Sequence, residues 1–163
     1  MGNIRVEGKK LIYQRKDELT IIEPYGMNCL RCRSTKNSKI LDENWTVLPP
    51  ATADDCHIEC DGKFATITNG AMKATIDAGQ IWYGGIITYF KKDTPVLHTR
   101  FEGDYSNRNQ HIEGDHYKIS VIFDANEGEH FYGIGQEQVD LFDRKGSTSQ
   151  IIHYNTKSTV PVL

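Results

Sequence analysis

Cys29, Cys32, Cys56 and Cys60 are the residues whose spacing most directly suggests chemistry. A C-x2-C pair followed by C-x3-C is compatible with a tetrahedral zinc site built from thiolates. The flanking residues Met27-Asn28-Cys29-Leu30-Arg31-Cys32-Arg33 lack the Gly and Pro that shape a zinc knuckle and read as an extended strand. Residues three apart on a strand point to opposite faces, so the thiolates of Cys29 and Cys32 do not converge on one ion. The expectation is four reduced cysteines, some buried, that bind no metal.

Paired carboxylates are the next candidates, because general acid–base chemistry can use two of them with different protonation states. Asp54-Asp55 and Glu127/Glu129 are such pairs, and both read as solvated loops. His98, His111, His116, His130 and His153 are candidate general acids, but no motif connects them. Gly133 and Gly135 form a G-x-G without the third glycine or the helix of a nucleotide loop. Small residues in a crowded strand explain them better. The expectations are no catalytic residue and no cofactor in this chain.

These residues sit in a chain of 163 residues, a length that suits one domain. Hydrophobic residues make up 38% and charged residues 25%, an ordinary soluble balance. The formal charge of −3 and pI near 6.1 argue against a nucleic-acid or anionic-membrane partner. The N-terminal segment has no apolar run longer than Leu11-Ile12-Tyr13, which gives no signal-peptide core. No stretch approaches a transmembrane helix, so a cytoplasmic location is expected.

The elements that must position any site read as strands. Short β-rich runs at residues 10–14, 19–23 and 27–33 are broken by the polar Arg15-Lys16-Asp17-Glu18 and by Pro24-Tyr25-Gly26. On the third run, Leu30 and Cys32 are expected on one face and Arg31 and Arg33 on the other. Residues 34–56 read as a long connection, with Pro49-Pro50 excluding helix and central strand, and with 45–48 as a short strand or a plug over the core. Strands are expected at 57–60, 63–68 and 71–77, joined by Asp61-Gly62 and Asn69-Gly70 turns. A further strand is expected at 81–90, with Gly84-Gly85 as a bulge or a close backbone approach. Residues 103–114 read as a polar loop, and 117–123, 148–154 and 160–163 as strands; 136–143 allow one short helical turn. The fold class is all-β, a two-sheet β-sandwich with little helix.

Two stretches resemble the N-terminal domain of glycoside hydrolase family 31. The first is Ile21-Ile22-Glu23-Pro24-Tyr25-Gly26 followed by Met27 through Arg33, a strand, a Pro-aromatic-Gly turn and a strand ending in Arg-x-Arg. The second is Glu129-His130-Phe131-Tyr132-Gly133-Ile134-Gly135-Gln136, then Leu141 to Gly146, then Ile151-Ile152-His153-Tyr154-Asn155-Thr156, then Val160-Pro161. It is similar to the family's F-Y-G-x-G-(E/Q) strand and the N-T…V-P segment before its barrel. The resemblance implies a galactose-mutarotase-like supersandwich. It also implies that residues 1–163 are an N-terminal domain cut before a catalytic (β/α)8 barrel of about 250 residues. The apolar ending Val160-Pro161-Val162-Leu163 suits such a cut.

The family's enzymes are retaining α-glycosidases with a carboxylate nucleophile in a barrel motif W-x-D-M. Trp45 is followed here by Thr46-Val47 and Trp82 by Tyr83-Gly84, so neither matches. The resemblance therefore implies a non-catalytic domain of an enzyme acting on α-xylosides or α-glucosides, with its own barrel and an oligosaccharide as partners. The isolated chain should not hydrolyse aryl α-glycosides. In the family a loop of this domain reaches the aglycone side of the site, and by order it falls at residues 153–159. Asn155, Thr156, Ser158 and Thr159 would pair with sugar hydroxyls there, and Tyr154 would stack on a ring. A plain polar connection is the other reading of the loop. The alternative for the whole chain is a free-standing carbohydrate-binding module with Trp82, Tyr83, Tyr89 and Phe90 as platform; a mutarotase-like enzyme is a third.

Overall fold

A computed structural model describes residues 2–16, 18–45, 47–48, 55–79, 85–100 and 109–160, without the side chains of 109–113 and 117. Alternating apolar residues and tight turns fold the chain into strands, and among the described residues there is no helix. The chain forms two compact units, residues 1–124 and 125–163.

The first unit holds two antiparallel sheets. One contains β1 (Asn3–Glu7), β2 (Lys10–Arg15), β3 (Glu18–Pro24) and β4 (Leu30–Thr35), in sequential order. The other contains β5 (Cys56–Cys60), β6 (Phe64–Asn69), β7 (Met72–Asp77), β8 (Ile86–Lys91) and β9 (Thr94–Arg100). After a two-stranded ribbon, β10 (Asn109–Glu113) and β11 (His116–Ile119), the strand β12 (Ile122–Phe123) returns to the edge of this second sheet beside β9.

The sheets pack face to face. Ile4, Leu11, Tyr13 and Ile22 from the first meet Ala65, Ile67, Ala74, Ile76 and Ile87 from the second in one core. Leu11, Ile22, Ile67, Ile76 and Ile87 are fully buried, and each contributes about 2 kcal/mol of apolar burial. Leu30 packs against this core, while Arg31 and Arg33 lie on the outer face, as the alternation predicts. There both guanidinium groups reach the buried Glu23 carboxylate, at 2.9 Å from Arg31 Nε and 2.6 Å from Arg33 Nη2. Arg31 also lies over the Tyr25 ring. The Pro-aromatic-Gly turn and the Arg-x-Arg strand are thus one polar clamp.

Several expectations change. Arg15 and Glu18 are buried and paired across β2 and β3, so the break between these strands is tighter than the polar run suggests. Residues 45–48 are no plug: Trp45 and Leu48 are largely exposed, and Thr46 lies outside the described residues, as do Pro49 and Pro50. Ile40 instead packs on the outer face against Ile12, Leu19 and Ile21. β9 was hidden by Pro95, which sits where the β8–β9 register shifts and needs no ladder hydrogen bond. β10 occupies part of the expected polar loop. Residues 117–123 are divided between β11 and β12, residues 148–153 form no strand, and 136–143 form no helical turn. Residues 80–84, 101–108 and 161–163 lie outside the described residues, which removes Trp82, Tyr83 and Gly84 from comparison.

Gly70 shows why the Asn-Gly turn is where it is. Its φ is 58°, and a Cβ there would come within 2.2 Å of Asn28 Oδ1, the atom that accepts the Ala71 amide. Asn69 is not the second left-handed residue; it ends β6 with its side chain turned inward.

Candidate functional site

The expected loop lies in the second unit. There β13 (Gly135–Gln136) pairs with β14 (Ser158–Thr159), with Gln136 opposite Ser158 and Gly135 opposite Thr159. A Cβ on Gly135 would come within 2.3 Å of the Ser158 carbonyl oxygen, so only glycine lets the strands close this tightly. Gly135 thus belongs to a crowded strand, as the sequence suggests, while Gly133 precedes it. Just before β14, Tyr154 and Lys157 exchange backbone hydrogen bonds of 3.3 and 2.9 Å and close a turn over Asn155 and Thr156. Thr156 has φ of 71°, a strained value for a β-branched residue.

Tyr154, Thr156 and Ser158 line an open pocket of about 540 Å³ together with Gln136, Gln138 and Lys157. Asn155 is exposed at the turn's tip and does not line it. The volume falls in the range of small-ligand sites. The two glutamines and Lys157 were missed because a two-residue ladder carries no periodicity for them to fit.

Lys157 is held from below. Its ammonium lies 2.6 Å from Glu137 Oε1, and Arg144 Nη1 lies 2.6 Å from Glu137 Oε2. The side chains of Arg144, Glu137 and Lys157 are only 8%, 9% and 10% exposed, which makes this a nearly dry three-charge cluster. The Lys157 hydrogen bond, with the two positive charges, holds the Glu137 carboxyl below its ordinary range.

A second polar knot organises residues 130–145. Asp143 accepts hydrogen bonds from the backbone amides of Phe131 and Lys145, and its Oδ2 is 2.6 Å from His130 Nδ1. His130 first, then the two amides, lowers its pKa to about 2. A carboxyl whose folded pKa is depressed stabilises the fold above its unfolded value, near 3.8, and loses that contribution as pH falls toward 2. Asp143→Asn should therefore flatten the fall in stability between those values. Urea midpoints of both proteins from pH 5 to 2 test this, and equal slopes would refute it.

The remaining sequence candidates are dispersed. His98 Nδ1 is 2.7 Å from Thr88 Oγ1, His111 is on β10, His116 begins β11, and His153 is exposed. Glu129 is engaged by Lys145, Glu127 and Asp55 are exposed, and Asp54 lies outside the described residues. Cys29, Cys32 and Cys60 are exposed thiols, and partial burial pushes the Cys56 thiol up. Among the described residues no group of three or more His, Cys, Asp or Glu gathers to hold a metal. Of the proposed aromatic platform, Tyr89 packs against the core and Phe90 lies under the Lys73 ammonium.

No family profile matches the chain. It is 25% identical, over 162 residues, to an uncharacterized family 31 glucosidase, ORF2, of Pseudescherichia vulneris; the match covers 86% of this chain and 30% of that protein. Its fold matches the crystal structure of a GH31 alpha-xylosidase from a soil metagenome complexed with xylose, with TM-score 0.84 and 21% identity, over 97% of this chain and 26% of that one. The chain thus spans less than a third of either relative. The sequence match and the shared fold together support the resemblance read from the motifs, that of this chain to an N-terminal domain of glycoside hydrolase family 31.

Proposed function

We propose that the chain is the non-catalytic β-sandwich part of a longer retaining α-glycosidase of carbohydrate metabolism, acting in the cytoplasm on α-xylosides or α-glucosides. It supports a catalytic barrel and lends the turn at residues 154–157 to the aglycone side of the active site. The observation that carries this reading is the pocket beside that turn, where Tyr154, Thr156 and Ser158 converge with two glutamine side chains. Neutral amides and hydroxyls pair with sugar hydroxyls at little desolvation cost. Two further features agree. The sequence holds no W-x-D-M, so a nucleophile of that kind must come from elsewhere. Among the described residues of the second unit only Arg144 and Thr159 are buried, while Val139, Leu141, Phe142, Ile151 and Ile152 are exposed. A short unit with so much uncovered apolar surface suits a partner such as the barrel.

In the full-length enzyme, Asn155→Ala and Thr156→Ala should each lower kcat/KM for disaccharides by about 1–2 kcal/mol, the worth of one or two hydrogen bonds. Substrates with a small aryl leaving group should suffer less. If both variants handle disaccharides as the parent does, the turn is only a connection.

A further inference from the structure

The charge count around the turn goes beyond a neutral sugar site. Glu137 supplies one negative charge, and Arg144 and Lys157 supply two positive ones, so one positive charge is left over. No nearby acid pairs with it: Asp140 is exposed and makes no ion pair with either cation, Asp143 is engaged by His130 and the amides of Phe131 and Lys145, and Glu129 by Lys145. The other five residues lining the pocket, Gln136, Gln138, Tyr154, Thr156 and Ser158, are neutral at pH 7. A net charge held nearly out of water is costly unless a counter-charge reaches it. Of the three, it is Lys157 that lines the pocket. An ammonium has three donors and gives one to Glu137, which leaves two for a ligand.

We infer that this pocket takes a saccharide bearing an anionic group, a carboxylate or a phosphate, with Lys157 pairing to that group. The amides of Gln136 and Gln138 and the hydroxyls of Thr156 and Ser158 then bind the ring hydroxyls, and the half-exposed Tyr154 ring offers a stacking face. Glu137 is a positioning residue: it keeps Lys157 extended along the turn, and Arg144 keeps Glu137 in place. The inference deepens the aglycone-side reading and rests on it for its place in a reaction.

The test is a titration of the whole 163-residue chain followed by amide NMR shifts of Gln136, Gln138 and Ser158. The probes are a neutral xylosyl-glucose disaccharide, a glucuronic-acid disaccharide, glucose 6-phosphate and inorganic phosphate. One acidic saccharide should bind at least about tenfold more tightly than the neutral one, the worth of one charge-assisted hydrogen bond, and added salt should erode the preference. Whichever of the uronate and the phosphate ester binds better identifies the group. Lys157→Gln should abolish the preference and Lys157→Arg should retain it, because Arg144 still satisfies Glu137 in both. Equal affinity for neutral and acidic sugars, no binding of any sugar, or a preference that survives both Lys157→Gln and salt overturns the inference. Inorganic phosphate binding as tightly as the acidic sugars overturns it as well, since the site would then hold a bare anion. The aglycone-side reading fails separately, through unchanged disaccharide kinetics of the Asn155 and Thr156 variants.

Discussion

Replacing Ile76 by alanine should destabilise the sandwich by about 3 kcal/mol, within the range for emptying a buried aliphatic site. Ile76 is fully buried in β7, with Ala65 opposite it on β6 and Ile87 opposite it on β8. Both neighbours are fixed by their own ladders, and Ala65 has no length with which to fill a hole. The site therefore cannot collapse, and the cavity term adds to the lost transfer energy. Ile76→Val should cost only about 1 kcal/mol. Urea unfolding reads both values as shifts of the midpoint at unchanged slope. A loss below about 1 kcal/mol for the alanine variant would mean that the two sheets do not close over β7 as described.

Asn69→Ala should cost about 2 kcal/mol although it removes no large side chain. Asn69 is almost fully buried at the end of β6, and its Nδ2 donates to the carbonyls of Gly26 at 2.8 Å and Cys29 at 2.7 Å. These bonds tie the six-stranded sheet to the turn between β3 and β4 of the other sheet. Alanine removes the donor to the Gly26 carbonyl and leaves the Cys29 carbonyl with the Tyr25 amide, so the cost is two lost bonds plus the desolvation penalty of the Gly26 carbonyl. Asn69→Asp should be at least as harmful, because a carboxylate cannot donate and would face two carbonyl oxygens. Urea midpoints give the size of the loss. Hydrogen exchange should show faster opening at Ala71, whose amide bonds to Asn28 in that same turn. Wild-type stability in both variants would show that water replaces the amide.

Much of the first unit was legible because its signals are local. Two-residue alternation separates Leu30 from Arg31 and Arg33, and glycine at the turns fixes where β5, β6 and β7 reverse. The family motifs were legible for the same reason: Gly135 answers a close approach between neighbouring strands, and Arg-x-Arg places two cations on one side of a strand. Composition was misleading where a strand looked like a loop. Pro95 disguised β9, and the polar run of β10 carries no apolar side to read. Residues 148–153 erred the other way, since their apolar residues have no ladder partner and remain exposed.

The sequence by itself determined the all-β character and the hairpin turns of the first unit. Only the tertiary structure decided what the turn at residues 154–157 rests on. Glu137 and Lys157 are far apart in the chain and carry no shared pattern, and they meet because Gly135 and Gln136 pair with Thr159 and Ser158. The same holds for Asn69, which looks like half of a turn signal and is a buried strut between sheets. The physical reason is that periodicity reports which side of an element avoids water. A charge's partner is set by strand register across the fold, which no local window contains.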